Sequence, residues 1–217
     1  MQFVLASASP ARSRLLTDAG VAHHVRVSNV DEVALVLEAG WVDAHAVAGG
    51  LATAKARDVA AGLGSGCLVL GCDSVFDIGG EIHGKPADAR QARERWERMR
   101  GRDGILFTGH HAVDTTSGRE VSRVVASTVY FADPTDDEIE AYIATGEPLK
   151  VAGGVTIDGL GAPFIERIDG DHSNVMGLSI PSLRLMLMEI GIPWPTLWSL
   201  TDGSLVASID SRQPGRS

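Results

Sequence analysis

The segment Cys67-Leu68-Val69-Leu70-Gly71-Cys72 runs straight into Asp73-Ser74, and further along the chain comes Gly84-Lys85-Pro86. The apolar run is rich in Leu and Val and bounded by glycines, so it predicts a buried strand of about five or six residues. Asp73 then stands where that strand leaves the core. In α/β sheets such positions face the crevice where ligands bind, because the loops vary there while the sheet stays rigid. Taken alone, Asp73 and Ser74 would serve equally to cap a turn by bonding their own backbone.

Working outward, Phe3 to Ala6 predicts a first strand, and Ser7-Ala8-Ser9-Pro10-Ala11-Arg12 follows it. Ser9 before Pro10 is a helix start with serine at the N-cap and proline in the first turn, and Gly20 is a natural stop. A strand that feeds a helix N-terminus favours anions, since free backbone N–H groups and the helix dipole both attract negative charge. Ser7, Ser9 and Arg12 stand at that point.

Val25 to Val27 suggests a second strand, leading to Val30-Asp31-Glu32. Trp41 to Ala61 is alanine-rich and predicts a helix weakened by Gly49-Gly50, carrying Lys55 and Arg57. A hairpin is expected through Asp77-Ile78-Gly79-Gly80. Asp88 to Arg100 is a charged helix whose Ala92, Trp96 and Met99 form one apolar stripe. Leu106 to Asp114 and Val121 to Phe131 form a strand pair joined through Thr115 to Gly118. Thr135-Asp136-Asp137-Glu138 is a capping box for a helix ending at Gly146. A glycine-rich stretch leads to a strand near Phe164 to Ile168, and Ser179 or Ile180 before Pro181 opens a last helix that ends at Gly191. Alternating strands and helices followed by antiparallel strands place the chain in the mixed α/β class. One domain over residues 1–191 is expected, with 192–217 as an accessory, partly disordered tail.

The 217 residues, 44% hydrophobic, suffice for one sizeable core. A net charge of -9 disfavours non-specific nucleic-acid binding. An acidic protein that handles a polyanion must concentrate positive charge locally or recruit a cation. The only cysteines, Cys67 and Cys72, fall on opposite faces of the expected strand and read as small core residues in a reducing compartment. With no run long enough to span a bilayer and no apolar leader, a soluble cytoplasmic protein without membrane partners is expected.

The candidate chemistry lies on separate segments. Arg12, Lys55 and Lys85 are cations, and Lys85 is the least ordinary, because Gly84 allows close backbone approach and Pro86 fixes the following φ. Glu32 and Asp73 are acids that follow expected strands. Carboxylates beside phosphate-binding lysines suit Mg²⁺ or Mn²⁺, which take one or two carboxylates plus phosphate oxygens. The seven histidines include two adjacent pairs, His23-His24 and His110-His111, whose members diverge, and no zinc spacing is present. Walker, nucleophile-elbow and dinucleotide-binding glycine motifs are absent.

The ordered set Leu5-Ala6-Ser7-Ala8-Ser9-Pro10-Ala11-Arg12, Val30-Asp31-Glu32, Lys55-Ala56, Asp73-Ser74, Gly84-Lys85-Pro86, Thr108-Gly109-His110, Gly146-Glu147-Pro148-Leu149, Ala152-Gly153-Gly154 and Gly177-Leu178-Ser179 resembles the Maf family of nucleoside triphosphate pyrophosphatases, most closely its actinobacterial branch. The resemblance covers about Phe3 to Leu187. It implies a Maf/ITPase-like two-lobed α/β fold, with an elongated, curved mixed β-sheet flanked by helices and a substrate cleft between the lobes. It also implies a homodimer and a divalent metal, and cleavage of a nucleoside triphosphate between its α and β phosphates. By the same resemblance, Asp73 is the proton acceptor, Ser7, Arg12, Lys55 and Lys85 hold the triphosphate, and Glu32 works with Asp73 at the metal. A nearby cation is expected to keep Asp73 ionised and therefore weak as a free base, which suits it to orienting the attacking water. The chain departs from the family's pattern at Ala11, Ser74 and Asp158, positions that separate the dTTP/UTP branch from the 7-methyl-GTP branch. It matches neither, so a broad triphosphate range is expected. The alternative reading is a nucleotide-binding regulator of division or septum formation, for which the full set of Glu32, Asp73 and Lys85 is superfluous.

Overall fold

The computed structural model describes residues 1–201 and 204–205. Residues 202, 203 and 206–217, which belong to the expected tail, lie outside the described residues. In chain order the elements are β1 (Gln2–Leu5), α1 (Pro10–Asp18), β2 (His24–Val25), α2 (Glu32–Ala39), α3 (Ala44–Ala61), β3 (Cys67–Ile78), β4 (Glu81–His83), α4 (Ala89–Met99), β5 (Asp103–Asp114), β6 (Glu120–Phe131), α5 (Asp136–Ala144), β7 (Ile165–Asp169), α6 (His172–Val175) and α7 (Ile180–Glu189), with short 3₁₀ turns between some of them and a final pair β8 (Leu200–Thr201) and β9 (Ser204–Leu205). Seven strands form one mixed sheet in the order β2-β1-β3-β5-β6-β7, with β4 hairpinned onto β3. β1 pairs in parallel with β2 and β3, whereas the contacts from β3 through β7 are antiparallel.

The strand expected to stop at Cys72 runs on for 12 residues to Ile78, and β5 and β6 are equally long. The apolar run is therefore only the first half of β3, and Asp73 lies inside the strand instead of at its exit. Past Asp73 the side chains alternate between the two faces of the sheet while Val75, Phe76 and Ile78 are all buried, and it is the unbroken pairing of Leu68–Asp77 with Asp114–Ile105 on β5 that holds the second half extended. The expected hairpin is present. Gly79 (φ 60°) and Gly80 (φ 90°) supply the two positive-φ positions that a tight turn between β3 and β4 needs.

The alternation sorts β3 between two sides. Leu68, Leu70 and Cys72 enter a core with Phe3, Leu5, Leu16, Leu183 and Met186 under α1 and α7. Further along the same face, Phe76 and Ile78 enter a second core with Trp96, Met99, Phe131 and Tyr142 under α4 and α5. These two cores make two lobes on one sheet. On the opposite face α3 covers the sheet through Ala48, Ala52 and Ala56, which lie one helical turn apart. A Cβ on Gly71 would sit 2.2 Å from the Ala52 carbonyl oxygen, and one on Gly109 2.0 Å from that of Ala48. The helix rests directly on strand backbone, an approach that only glycine allows. Gly50 costs helix propensity, but its bare Cα gives room to Trp41, whose ring a Cβ would meet at 2.0 Å.

Two expectations shift locally. The second strand is only His24–Val25, and Glu32 does not trail a strand but opens α2, a helix not expected from the sequence, with Asp31 as its N-cap. Beyond Gly191 the chain continues against the first core: Ile192 is buried, Trp194 and Leu197 pack on that cluster, and Trp198 bridges to Val21. Among the described residues, no helix is long and apolar enough to cross a membrane.

Candidate functional site

β1 ends early, and the site exists because of it. Its pairing with β3 stops at Leu5 opposite Leu70, followed by one further bond from the Ala6 N–H to the Leu70 carbonyl. β4 does not join β3 until Phe76. Between these points Gly71 to Val75 keeps β5 on one side and opens on the other into a notch. A cleft of about 640 Å³ fills the notch and reaches both lobes. Asp73 is thus held by a strand on one side and faces a cavity on the other, although it is not at a strand end.

At the notch stands an acid–base triad of charges. The Lys55 Nζ donates to Asp73 Oδ1 at 2.6 Å and lies 2.8 Å from Glu32 Oε1. Lys55 and Asp73 are 8% and 9% exposed, while the Glu32 carboxylate is half exposed at the mouth. α3 aims Lys55 at Asp73 because Ala52 and Ala56, three residues before it and one after, sit on Gly71. Burial raises the Asp73 carboxyl above its ordinary value, against the opposing pull of the Lys55 ammonium and the Arg12 guanidinium. Desolvation outweighs the Lys55 and Arg12 cations and makes the carboxylate more basic than an exposed one. The adjacent Cys72 thiol is pushed up to about 12 by burial and is inert as a nucleophile.

Arg12 caps the open edge of β3. Its Nη1 donates to the Cys72 carbonyl at 2.9 Å and to Ser7 Oγ at 2.8 Å, its Nε to the Gly177 carbonyl at 2.7 Å, and its Nη2 to Ser74 Oγ at 2.9 Å. Four of the five guanidinium N–H groups are thereby engaged within the protein. Ser74 Oγ also shares a hydrogen bond with Thr108 Oγ1 at 3.0 Å. Ser74 thus faces the arginine network on the side of the sheet opposite Asp73. Ser9 caps α1, and Pro10 occupies its first turn as expected. The Ser7–Ser9 loop and the start of this nine-residue helix line the cleft.

Lys85 enters from the loop after β4. The carbonyl of Gly84 before it accepts a bond from Arg95 Nη1 at 2.6 Å. Arg95 is buried on α4 beside Trp96 and has no carboxylate partner among the described residues. It lies within the stripe of Ala92, Trp96 and Met99, so a charge on an apolar face was its sequence signal, and a charged helix hid it. The last wall comes from Lys150 to Gly159, with Val155, Ile157 and Asp158 among its residues. Glu147 and Lys150, to which the sequence reading gave no role, line the cleft as well. Ser7, Ala11, Arg12, Glu32, Lys55, Asp73, Ser74, Lys85 and Asp158, from separate segments of the chain, all line this one cavity.

Glu32 and Asp73 offer two hard oxygen donors that converge on one point, now spanned by an ammonium. That donor set fits Mg²⁺ or Mn²⁺. Among the described residues no group of three His, Cys, Asp or Glu side chains clusters to hold a metal ion.

Comparison with known proteins shows what the chain is related to. The chain is 54% identical over 199 residues to a protein of Streptomyces coelicolor named nucleoside triphosphate pyrophosphatase, covering 91% of this chain and 95% of that one. Proteins of the same name from Salinispora tropica (51% over 207 residues, 92% and 88% covered) and Gloeothece citriformis (45% over 196 residues, 90% and 97% covered) are also similar. The family profile described as Maf-like protein matches residues 2–190, a span that includes every residue gathered in the cleft. The chain belongs to the Maf family.

Proposed function

We propose that this protein hydrolyses nucleoside triphosphates to the monophosphate and pyrophosphate, with Asp73 as the general base. The observation that carries the reading is the Lys55 ammonium seated between Asp73 and Glu32 inside a cleft that also receives Ser7, Arg12 and Lys85. The similar proteins share the name nucleoside triphosphate pyrophosphatase. Phosphoryl transfer asks a protein to position groups and neutralise charge more than to form covalent bonds. Lys55 and Lys85 bring positive charge to the phosphates, and the start of α1 adds the Ala11 N–H, since Pro10 has none and the Arg12 and Ser13 N–H groups bond Ser9. Arg12 holds Ser7 Oγ in place and keeps one N–H for substrate. Asp73, desolvated and more basic than an exposed carboxylate, accepts the proton of the attacking water. A divalent cation, when bound, would be held by Glu32 and Asp73 and would offset phosphate charge.

The test is turnover of a panel of canonical and modified triphosphates with Mg²⁺ or Mn²⁺, assayed for both products. Release of orthophosphate alone, or no turnover of any member, sinks the proposal. Asp73→Asn is expected to lower kcat by about 10²- to 10⁴-fold while nucleotide still binds. Near-normal turnover of that variant would remove Asp73 from the chemistry.

A further inference from the structure

The motif Gly146-Glu147-Pro148 has no part in the chemistry above, yet its carboxylate is among the most heavily bonded in the molecule. Glu147 Oε1 accepts from the Tyr142 hydroxyl at 3.0 Å, from the Thr156 hydroxyl, and from the Gly161 N–H at 3.1 Å, while Oε2 accepts from the Leu160 N–H at 3.1 Å. The Thr156 N–H in turn donates to the Tyr142 hydroxyl oxygen at 3.3 Å. The chain is wrapped so closely around this carboxylate that a Cβ on Gly159 would stand 2.6 Å from Oε2, and one on Gly161 2.5 Å from the Tyr142 oxygen. Burial alone would raise the Glu147 carboxyl, but its donors outweigh burial and hold it below the ordinary value, so it is ionised at neutral pH and accepts from all of them.

The segment held in this way forms a wall of the cleft that differs from the phosphate end. Its side chains there are Val155, Thr156, Ile157 and Asp158, and the cavity continues across Leu106, Val175 and Met176. Lys150 stands at the start of this wall, but beyond it the surface is mainly apolar with the Asp158 carboxylate, which suits a planar base with polar edges better than phosphate. We infer that Glu147 is a positioning residue that fixes the Thr156–Gly161 segment as the base-contacting wall of the cleft, and so sets affinity and discrimination among nucleobases without touching the reacting phosphates. This rests on the nucleotide-hydrolysis reading above.

The wall meets the base in the ground and transition states alike, so its loss appears in KM and leaves kcat largely alone. Glu147→Ala should raise KM for ATP, GTP, UTP and dTTP by about tenfold or more, keep kcat within about threefold, and narrow the spread of kcat/KM among the four. Amide exchange at Leu160 and Gly161 should accelerate by about tenfold or more as their acceptor disappears. Glu147→Gln keeps the Oε1 acceptor but turns an N–H₂ toward the Leu160 N–H, and should fall between wild type and the alanine variant. A KM unchanged for all four nucleotides, a loss confined to kcat, or wild-type exchange at both amides overturns the inference. If the alanine variant does not fold, Thr156→Val removes a single donor and should give the same pattern at about threefold in KM; an unchanged KM there overturns it equally. Should the wild type release no pyrophosphate from any nucleotide, the hydrolysis reading fails by itself, and Glu147 is still tested by the amide exchange and by the affinity of a non-hydrolysable ATP analogue.

Discussion

The two walls of the cleft are built in opposite ways. At the phosphate end most of the bonds join distant segments: Arg12 holds nearby Ser7 but also reaches Cys72, Ser74 and Gly177, and Lys55 reaches Asp73. These groups lie on the sheet or against it. At the other end Glu147 draws its partners from within 5 to 14 residues. Chemistry that loses about 10²-fold for a misplacement near 1 Å needs the stiffness of a paired strand. A wall that reads a base can be a local loop, altered without touching the core. The contrast implies that damage to the sheet abolishes activity, whereas damage to the loop changes preference.

The most disruptive way to break the phosphate wall leaves every polar residue in place. Gly109 lies directly across from Asp73 in the β3–β5 register, under the Ala48 carbonyl of α3. Gly109→Ala drives a methyl into that backbone, and the helix carrying Lys55 must rise. We expect a loss of about 3 kcal/mol in urea unfolding and a fall in kcat/KM of about 10²-fold. Unfolding and turnover at wild-type values would mean that the seat of α3 on the sheet does not set the Lys55–Asp73 contact.

Much of this arrangement is legible in the sequence, and the parts that are not share a cause. Hydrophobic run, capping box and turn glycines mark β3, α5 and the β3–β4 hairpin because those signals are local. The second half of β3 is not legible, since Asp73 to Ile78 owes its extension to β5, more than 30 residues further on in the register Asp73↔Gly109. The candidate residues could be named through short motifs, and the structure gathers them in one cavity. Their wiring could not be read. Nothing in Ser9-Pro10-Ala11-Arg12 shows that the guanidinium bonds Gly177, and only its place in the stripe of Ala92, Trp96 and Met99 sets the buried Arg95 apart from exposed Arg93 and Glu94. The raised carboxyl of Asp73 follows from burial, which sequence spacing alone does not report.

His110 offers a subtler probe of the same wall. It is buried, its Nε2 accepts from the Ser179 N–H at the start of α7 at 2.9 Å, and burial together with the Arg12 guanidinium lowers it to about 4 from an ordinary 6.5. The folded protein keeps the ring neutral while the unfolded chain protonates it, so the unfolded state binds more protons between these values. This contribution to stability is fully present above pH 6.5 and is lost as pH falls from 6.5 to about 4. At about 1.4 kcal/mol per unit, it amounts to about 3 kcal/mol. Denaturant midpoints of wild type should fall across that window more steeply than those of His110→Gln, which takes up no proton. Equal slopes would show that another group governs acid sensitivity.

Lys55→Met makes the smallest change and bears most directly on the chemistry. Methionine fills a similar volume without charge, so α3 keeps its seat on Gly71 while Asp73 loses the main group that lowers its carboxyl. Desolvation then acts with less opposition, and the carboxyl rises further. A base must be ionised to accept a proton, so the acidic limb of kcat/KM against pH should move to higher pH. The shift separates two uses of the lysine. If Lys55 only holds phosphate, the variant raises KM and leaves the limb where it was. If Lys55 also tunes Asp73, the limb moves even at saturating nucleotide, because the ammonium that balanced burial at the base of the notch is gone.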